Sequence, residues 1–158
     1  HDLPDPYRLH GMQQAVQRLI AAICQGERIA IYGDYDVDGV TATALLVTFF
    51  HELGLQVPYY IPERASEGYG LNADSMRQLA SAGIRLLITV DCGSTALEEV
   101  ALARRLGMDI LITDHHQPPE RLPDACAVLN PHLLPWRGYG KRRLASLRVG
   151  PSPMAASI

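Results

Sequence analysis

The 158-residue sequence holds only three cysteines, one tryptophan and two phenylalanines. Cys24, Cys92 and Cys126 are odd in number and widely spaced, with no C-x-x-C pair. That excludes a disulfide framework and a zinc knuckle, and it fits a reducing cytoplasm in which each cysteine serves packing. No run reaches the ~18 apolar residues of a membrane span. No secretory pattern opens the chain, and its first residue is His1 rather than Met, which reads as a fragment or a processed piece. Internal repeats and low-complexity tracts are missing. So are G-x-x-x-x-G-K-[ST], G-x-G-x-x-G after a strand, and G-x-S-x-G. A P-loop, a dinucleotide-binding turn and a serine nucleophile elbow are thereby excluded.

What is there is an ordinary globular composition, 47% apolar and 20% charged. Such a chain can bury one core, and it is too apolar for a long disordered segment. The net charge of −3 is an average of unlike parts. Residues 131–158 carry Arg137, Lys141, Arg142, Arg143 and Arg148 with no acid, whereas residues 1–130 hold 9 basic and 17 acidic side chains. The expected organisation is one domain over 1–130 and a basic, irregular tail over 131–158, broken by Pro135, Pro151 and Pro153 and truncated or misread at its end.

Hydrophobic periodicity gives the architecture. An extended lead-in over 1–9 precedes a helix over 10–25, with Met12, Val16, Leu19, Ile20 and Ile23 on one face. Strands are expected at 28–32, 56–61, 86–90, 109–113 and 127–129, with Pro58 weakening the second. Helices are expected at 40–53, at 73–82 with Asn72 as N-cap, and at 95–106; Gly26, Gly54 and Gly107 are natural stops. The runs LLITV and DILIT are nearly all apolar, as strands covered on both faces are. The predicted fold is α/β, a parallel sheet of about four to five strands flanked by helices.

Three polar clusters follow strands. Residues 33–39 read Gly-Asp-Tyr-Asp-Val-Asp-Gly, which puts Asp34, Asp36 and Asp38 at alternate positions. Asp91 precedes Cys92-Gly93-Ser94, and Asp114-His115-His116 follows the fourth strand. A lone strand-end Asp is commonly a helix N-cap, a His pair is commonly a surface pair, and an acidic turn is commonly just solvated. An EF-hand also opens D-x-D-x-D-G, but its twelfth position here is Leu45, where a bidentate Glu is required, and a strand rather than a helix precedes Asp34. In open α/β sheets ligands bind beyond the carboxyl ends of the strands, so all three clusters can converge. Three carboxylates within five residues call for a cation among them, and mixed carboxylate and imidazole donors suit Mn²⁺ or Mg²⁺. Two such ions suit phosphoryl chemistry. Bound cations would offset much of the acidic charge of residues 1–130, so that charge does not argue against a nucleic-acid substrate.

Ile31 to Gly39 (IYGDYDVDG), Val90-Asp91-Cys92-Gly93 and Thr113-Asp114-His115-His116 together resemble the first three motifs of the DHH phosphoesterase family. Ile61-Pro62-Glu63-Arg64, then Glu67-Gly68-Tyr69-Gly70-Leu71, and also Leu129-Asn130-Pro131, resemble its bacterial branch of single-strand-specific 5′→3′ exonucleases. The resemblance runs over residues 5–132. It implies that Asp34, Asp36 and Asp91 hold one divalent ion (Mn²⁺ or Mg²⁺) and that Asp38, Asp91 and His115 hold a second. It implies that His116 sits by the scissile phosphate and that Asp114 orients the histidines. The implied reaction is in-line hydrolysis of single-stranded DNA to 5′-mononucleotides, within a longer protein of DNA repair and recombination. The family's fourth acidic motif, its C-terminal associated domain and a DNA-gripping OB-fold have no counterpart in these residues, so the expected activity of this piece alone is weak or nil. Two other readings stand beside this one. One is a DHH phosphoesterase acting on short oligonucleotides, cyclic dinucleotides or pyrophosphate. The other is an inactive metal- or nucleotide-binding module.

Overall fold

The computed structural model describes residues 5–65 and 67–133. Beyond His132 and Leu133 the basic tail expected from the sequence lies outside the described residues. A 3₁₀ turn, Pro6–Arg8, opens the described chain, capped by the Asp5 carboxylate on the Tyr7 N–H. The extended lead-in expected there gives way to this turn because Asp5 and Pro6 supply an N-cap and a preset φ. The elements that follow are α1 (Met12–Cys24), β1 (Ile29–Gly33), α2 (Val37–Glu52), β2 (Tyr59–Tyr60), α3 (Ala73–Ser81), β3 (Leu86–Val90), α4 (Leu97–Arg105), β4 (Asp109–Thr113) and β5 (Ala127–Leu129).

The five strands form one parallel sheet in the order β2-β1-β3-β4-β5. Both faces are covered, and successive residues of each strand serve opposite layers. Ile29 and Ile31 of β1, Leu86, Ile88 and Val90 of β3, and Leu111 of β4 pack against α1 and α2 through Ala15, Ala22 and Phe50. Ala30, Tyr32, Leu87, Ile110 and Ile112 pack on the other side against Met76 and Leu79 of α3 and Val100 and Ala103 of α4. The α/β parallel sheet expected from the sequence is the one observed.

Element ends mostly shift by one or two residues, and the starts of β2 and α2 shift further, each for a physical reason. Strand β2 is reduced to Tyr59–Tyr60; Pro58 has no N–H to give, yet its carbonyl accepts from the Ile31 N–H at 3.0 Å, which a sheet edge permits. Helix α2 begins at Val37 rather than near 40, because Asp36 caps it, accepting from the Asp38 and Gly39 N–H groups at 2.9 and 3.0 Å. Of the three cysteines only Cys92 is buried; Cys24 and Cys126 are exposed, so packing accounts for one of them. No helix among the described residues is long and apolar enough to cross a membrane.

Candidate metal centre

Strand β2 lies to one side of β1 and β3 to the other, so the connections diverge between β1 and β3. A crevice opens at such a point beyond the carboxyl ends of the strands. Register fixes what lines it. Gly33 pairs with Val90, and Val90 with Thr113, as the last residues of their strands. Asp34, Asp91 and Asp114, the next residues, therefore stand level across three adjacent strands, spaced by about 4.8 Å. The ladder continues through them: the Asp91 N–H donates to the Thr113 carbonyl and the Asp114 N–H to the Leu129 carbonyl.

Close packing brings Asp36 to this row. A Cβ on Gly39 would lie 2.4 Å from the Asp34 carbonyl oxygen, so only glycine lets the first turn of α2 rest on the end of β1. The ligand atoms of Asp34, Asp36 and Asp91 come within 4.8 Å of one another, as do those of Asp91, His115 and His116. Asp91 belongs to both groups. Asp38, expected with Asp91 and His115, belongs to neither and sits in the first turn of α2.

The electrostatics are those of crowded, desolvated acids. Burial pushes the Asp91 carboxyl up to about 6, and the neighbouring Asp36 adds to the shift. Burial also raises Asp34. Asp36 is held below the usual range by the Gly39 amide at the helix N-terminus. Among the described residues, two carboxylate oxygens are buried with no hydrogen-bond partner in this crevice, Asp34 Oδ1 and Asp91 Oδ2. Buried acceptors left unmade are costly and point to a missing electropositive partner. The donor set of carboxylates and imidazoles fits a divalent cation of the Mn²⁺ or Mg²⁺ kind.

Asp114 plays a different part. It is 2% exposed; its Oδ2 accepts from the Ser94 N–H, and its Oδ1 accepts from the His115 and His116 N–H groups and lies 2.8 Å from His116 Nδ1. Burial works against its charge, but these bonds outweigh burial and hold the carboxyl below its ordinary value. The carboxylate can only accept, so Nδ1 carries the proton and Nε2 is the nitrogen of the neutral ring with a free lone pair. Burial lowers the basicity of His116, yet the hydrogen bond and charge of Asp114 raise its pKa overall.

Two residues with no assigned role in the sequence also belong here. The Tyr69 hydroxyl donates to the Asp91 carbonyl at 3.4 Å and lies 3.2 Å from His116 Nδ1. Its loop is tied down by Glu67, which accepts from the Tyr60 hydroxyl, the Glu63 N–H and the Asn72 amide. The signal for both was the Glu67-Gly68-Tyr69-Gly70 run; a sequence does not show which way a loop folds back.

A family model described as "DHH family, N-terminal domain" matches residues 28–138, and the chain belongs to that family. Among its relatives is the single-stranded-DNA-specific exonuclease RecJ of Bacillus subtilis (strain 168), 46% identical over 148 residues that cover 94% of this chain and 19% of that protein. RecJ of Escherichia coli (strain K12) is 41% identical over 127 residues, 80% of this chain and 22% of that protein. The chain thus spans about a fifth of the length of these curated relatives. A crystal structure of exonuclease RecJ bound to manganese superposes with a TM-score of 0.75 at 38% identity, over 84% of this chain and 33% of that one. A crystal structure of RecJ from Thermus thermophilus in complex with Mn²⁺ gives 0.69 at 35% identity, over 80% and 18%.

Proposed function

We propose that this chain is the metal-holding part of a 5′→3′ exonuclease on single-stranded DNA, acting in repair and recombination within a longer cytoplasmic protein. The observation that carries the reading is the pair of buried, partnerless carboxylate oxygens on Asp34 and Asp91 at the divergence of β1 and β3. Relatives described as single-stranded-DNA-specific exonucleases, and RecJ structures that hold manganese, support the substrate and the metal. Three free cysteines suit the reducing compartment.

In this reading Asp34, Asp36 and Asp91 hold one Mn²⁺ or Mg²⁺ ion, and Asp91 with His115 holds a second. Asp38 is the weaker candidate for that second site, since it lies outside both groups of converging ligand atoms. Ions bound there supply Lewis acidity and lower the pKa of water. The protein's own residues do the rest. Asp91 joins the two sites. Asp114 keeps the Nδ1 proton of His116 in place, so that Nε2 meets the substrate phosphate. The raised basicity of His116 favours the imidazolium, which offsets charge gathering on the phosphate oxygens.

Calorimetric titration with Mn²⁺, paired with an assay on a 5′-phosphorylated single strand, tests the reading. The expected results are Mn²⁺ binding by the chain that Asp91→Ala abolishes, and mononucleotide release by the longer protein that Asp36→Ala abolishes. A chain that binds no Mn²⁺, or a longer protein that cleaves cyclic dinucleotides and leaves single strands intact, overturns it.

A further inference from the structure

The residue that stands level with Asp114 on the next strand is not an acid. Thr113 pairs with Leu129, so Asn130 extends the strand-end row by one position. Asn130 is 1% exposed, and both of its polar atoms are used. Its Nδ2 donates to the His116 carbonyl at 2.8 Å and to Ser94 Oγ at 3.1 Å, and its Oδ1 accepts from the His132 N–H at 2.9 Å. These partners fix the orientation of the amide, since a flipped side chain would set oxygen against carbonyl and N–H against N–H.

The three bonds complement those of Asp114. Asp114 is an acceptor and takes the N–H of His116 together with the ring Nδ1. Asn130 is a donor and takes the carbonyl of the same residue. Ser94 links the two, donating its N–H to Asp114 and accepting the Asn130 N–H on Oγ. His116 is therefore held by its N–H, its C=O and its ring, from two neighbouring strand ends. A carboxylate at 130 could not do this, because it has no proton for the carbonyl and would add a fourth negative charge to the row.

We propose that Asn130 is a positioning residue for His116, holding the backbone so that the ring keeps its Nδ1–H bond to Asp114 and presents Nε2 to the crevice. Its effect on rate rests on the nuclease reading of the site, whereas its effect on the ring does not. The test therefore begins with metal-free chain and no substrate. Imidazole ¹⁵N spectra of the chain, recorded at a pH high enough that the ring is neutral, are expected to show His116 as a single Nδ1–H tautomer. In Asn130→Asp the His116 signals are expected to shift toward an averaged pair of nitrogens, while those of His51 and His10 stay unchanged. In the longer protein, kcat on single strands is expected to fall roughly 10–100-fold, as it does for outer partners of a site, with KM little altered. A folded Asn130→Asp variant with unchanged His116 ring signals overturns the proposal. If that variant fails to fold, the unaltered chain decides: the Asn130 side-chain amide protons are expected to exchange slowly with solvent and to show coupling across the hydrogen bond to the His116 carbonyl. Fast exchange without that coupling overturns it.

Discussion

Nε2 of His115 lies 2.8 Å from Oδ1 of Asp91, and Asp91 is, among the described residues, the one non-glycine with positive φ, at 63°. Left-handed backbone costs an L-residue roughly 1–2 kcal/mol, and such strain gathers at functional sites. Here it accompanies a carboxylate that serves two ligand groups and leaves one oxygen, Oδ2, without a partner.

The first prediction concerns pH. The Asp91 carboxyl is raised from 3.8 to about 6 by burial and by Asp36. A raised folded pKa means that the group's stabilising contribution is fully present below about 3.8 and is lost as pH rises through about 6. Asp34, also raised by burial, acts in the same direction. The metal-free chain should therefore lose stability between about pH 4 and pH 7, and Asp91→Asn should flatten that decline. Urea midpoints measured across this range check it; parallel slopes for the two proteins would contradict it.

Mn²⁺ should reverse the penalty. A ligand bound only to the folded state stabilises by about 2.7 kcal/mol at a hundred times its Kd. Thermal unfolding should move up with Mn²⁺ and back with a chelator, and the shift should grow as pH rises through about 6, because protons compete for the same oxygens. Asp34→Asn should melt no lower than the parent without metal and should lose most of the Mn²⁺ response. A chain that Mn²⁺ fails to stabilise would refute this.

Asp114→Asn should cost about 1–3 kcal/mol, since an amide nitrogen would then face backbone donors that now meet a buried carboxylate. Chemical denaturation reads the loss. The same change should free the His116 ring to adopt either tautomer, which imidazole ¹⁵N shifts detect.

Gly39→Ala runs against helix propensity. Alanine is better than glycine within a helix by about 1 kcal/mol, yet the added Cβ would lie 2.4–2.7 Å from Asp34 backbone atoms. The variant is expected to be less stable than the parent and to bind Mn²⁺ more weakly, because the first turn of α2 must lift away from Asp34. Higher stability with unchanged Mn²⁺ affinity would show that the contact is slack.

Much of this fold was legible because its strands are buried on both faces. The apolar runs at 86–90 and 109–113 match β3 and β4 as observed, and Asn72 caps α3 with its side chain on the Ser75 N–H. The start of α2 was harder to read: Val37-Asp38-Gly39 has poor helix formers, and what decides it is the local Asp36 cap, which competes with the other aspartates of the same run for the N-cap position. The three strand-end clusters were legible as convergent. Their pairing was not, since distances between side chains from different strands depend on register and on the left-handed turn at Asp91. The placement of Asp38 fell on that gap. Asn130 was visible as part of a motif, but its contacts run to residues 14 and 36 positions away.

The level row of Asp34, Asp91, Asp114 and Asn130 also determines which changes of length the chain can absorb. Residues added to the loops at 62–71 or 117–126 lie outside the strands and leave the row in line. One residue deleted within β3 would slide its remaining residues by one place, turning the Leu86, Ile88 and Val90 face toward α3 and α4 and moving Asp91 out of step with Asp34 and Asp114. Homologous chains that keep this centre should accordingly vary in their loops while holding β1, β3 and β4 to a constant count from the strand start to the acidic residue.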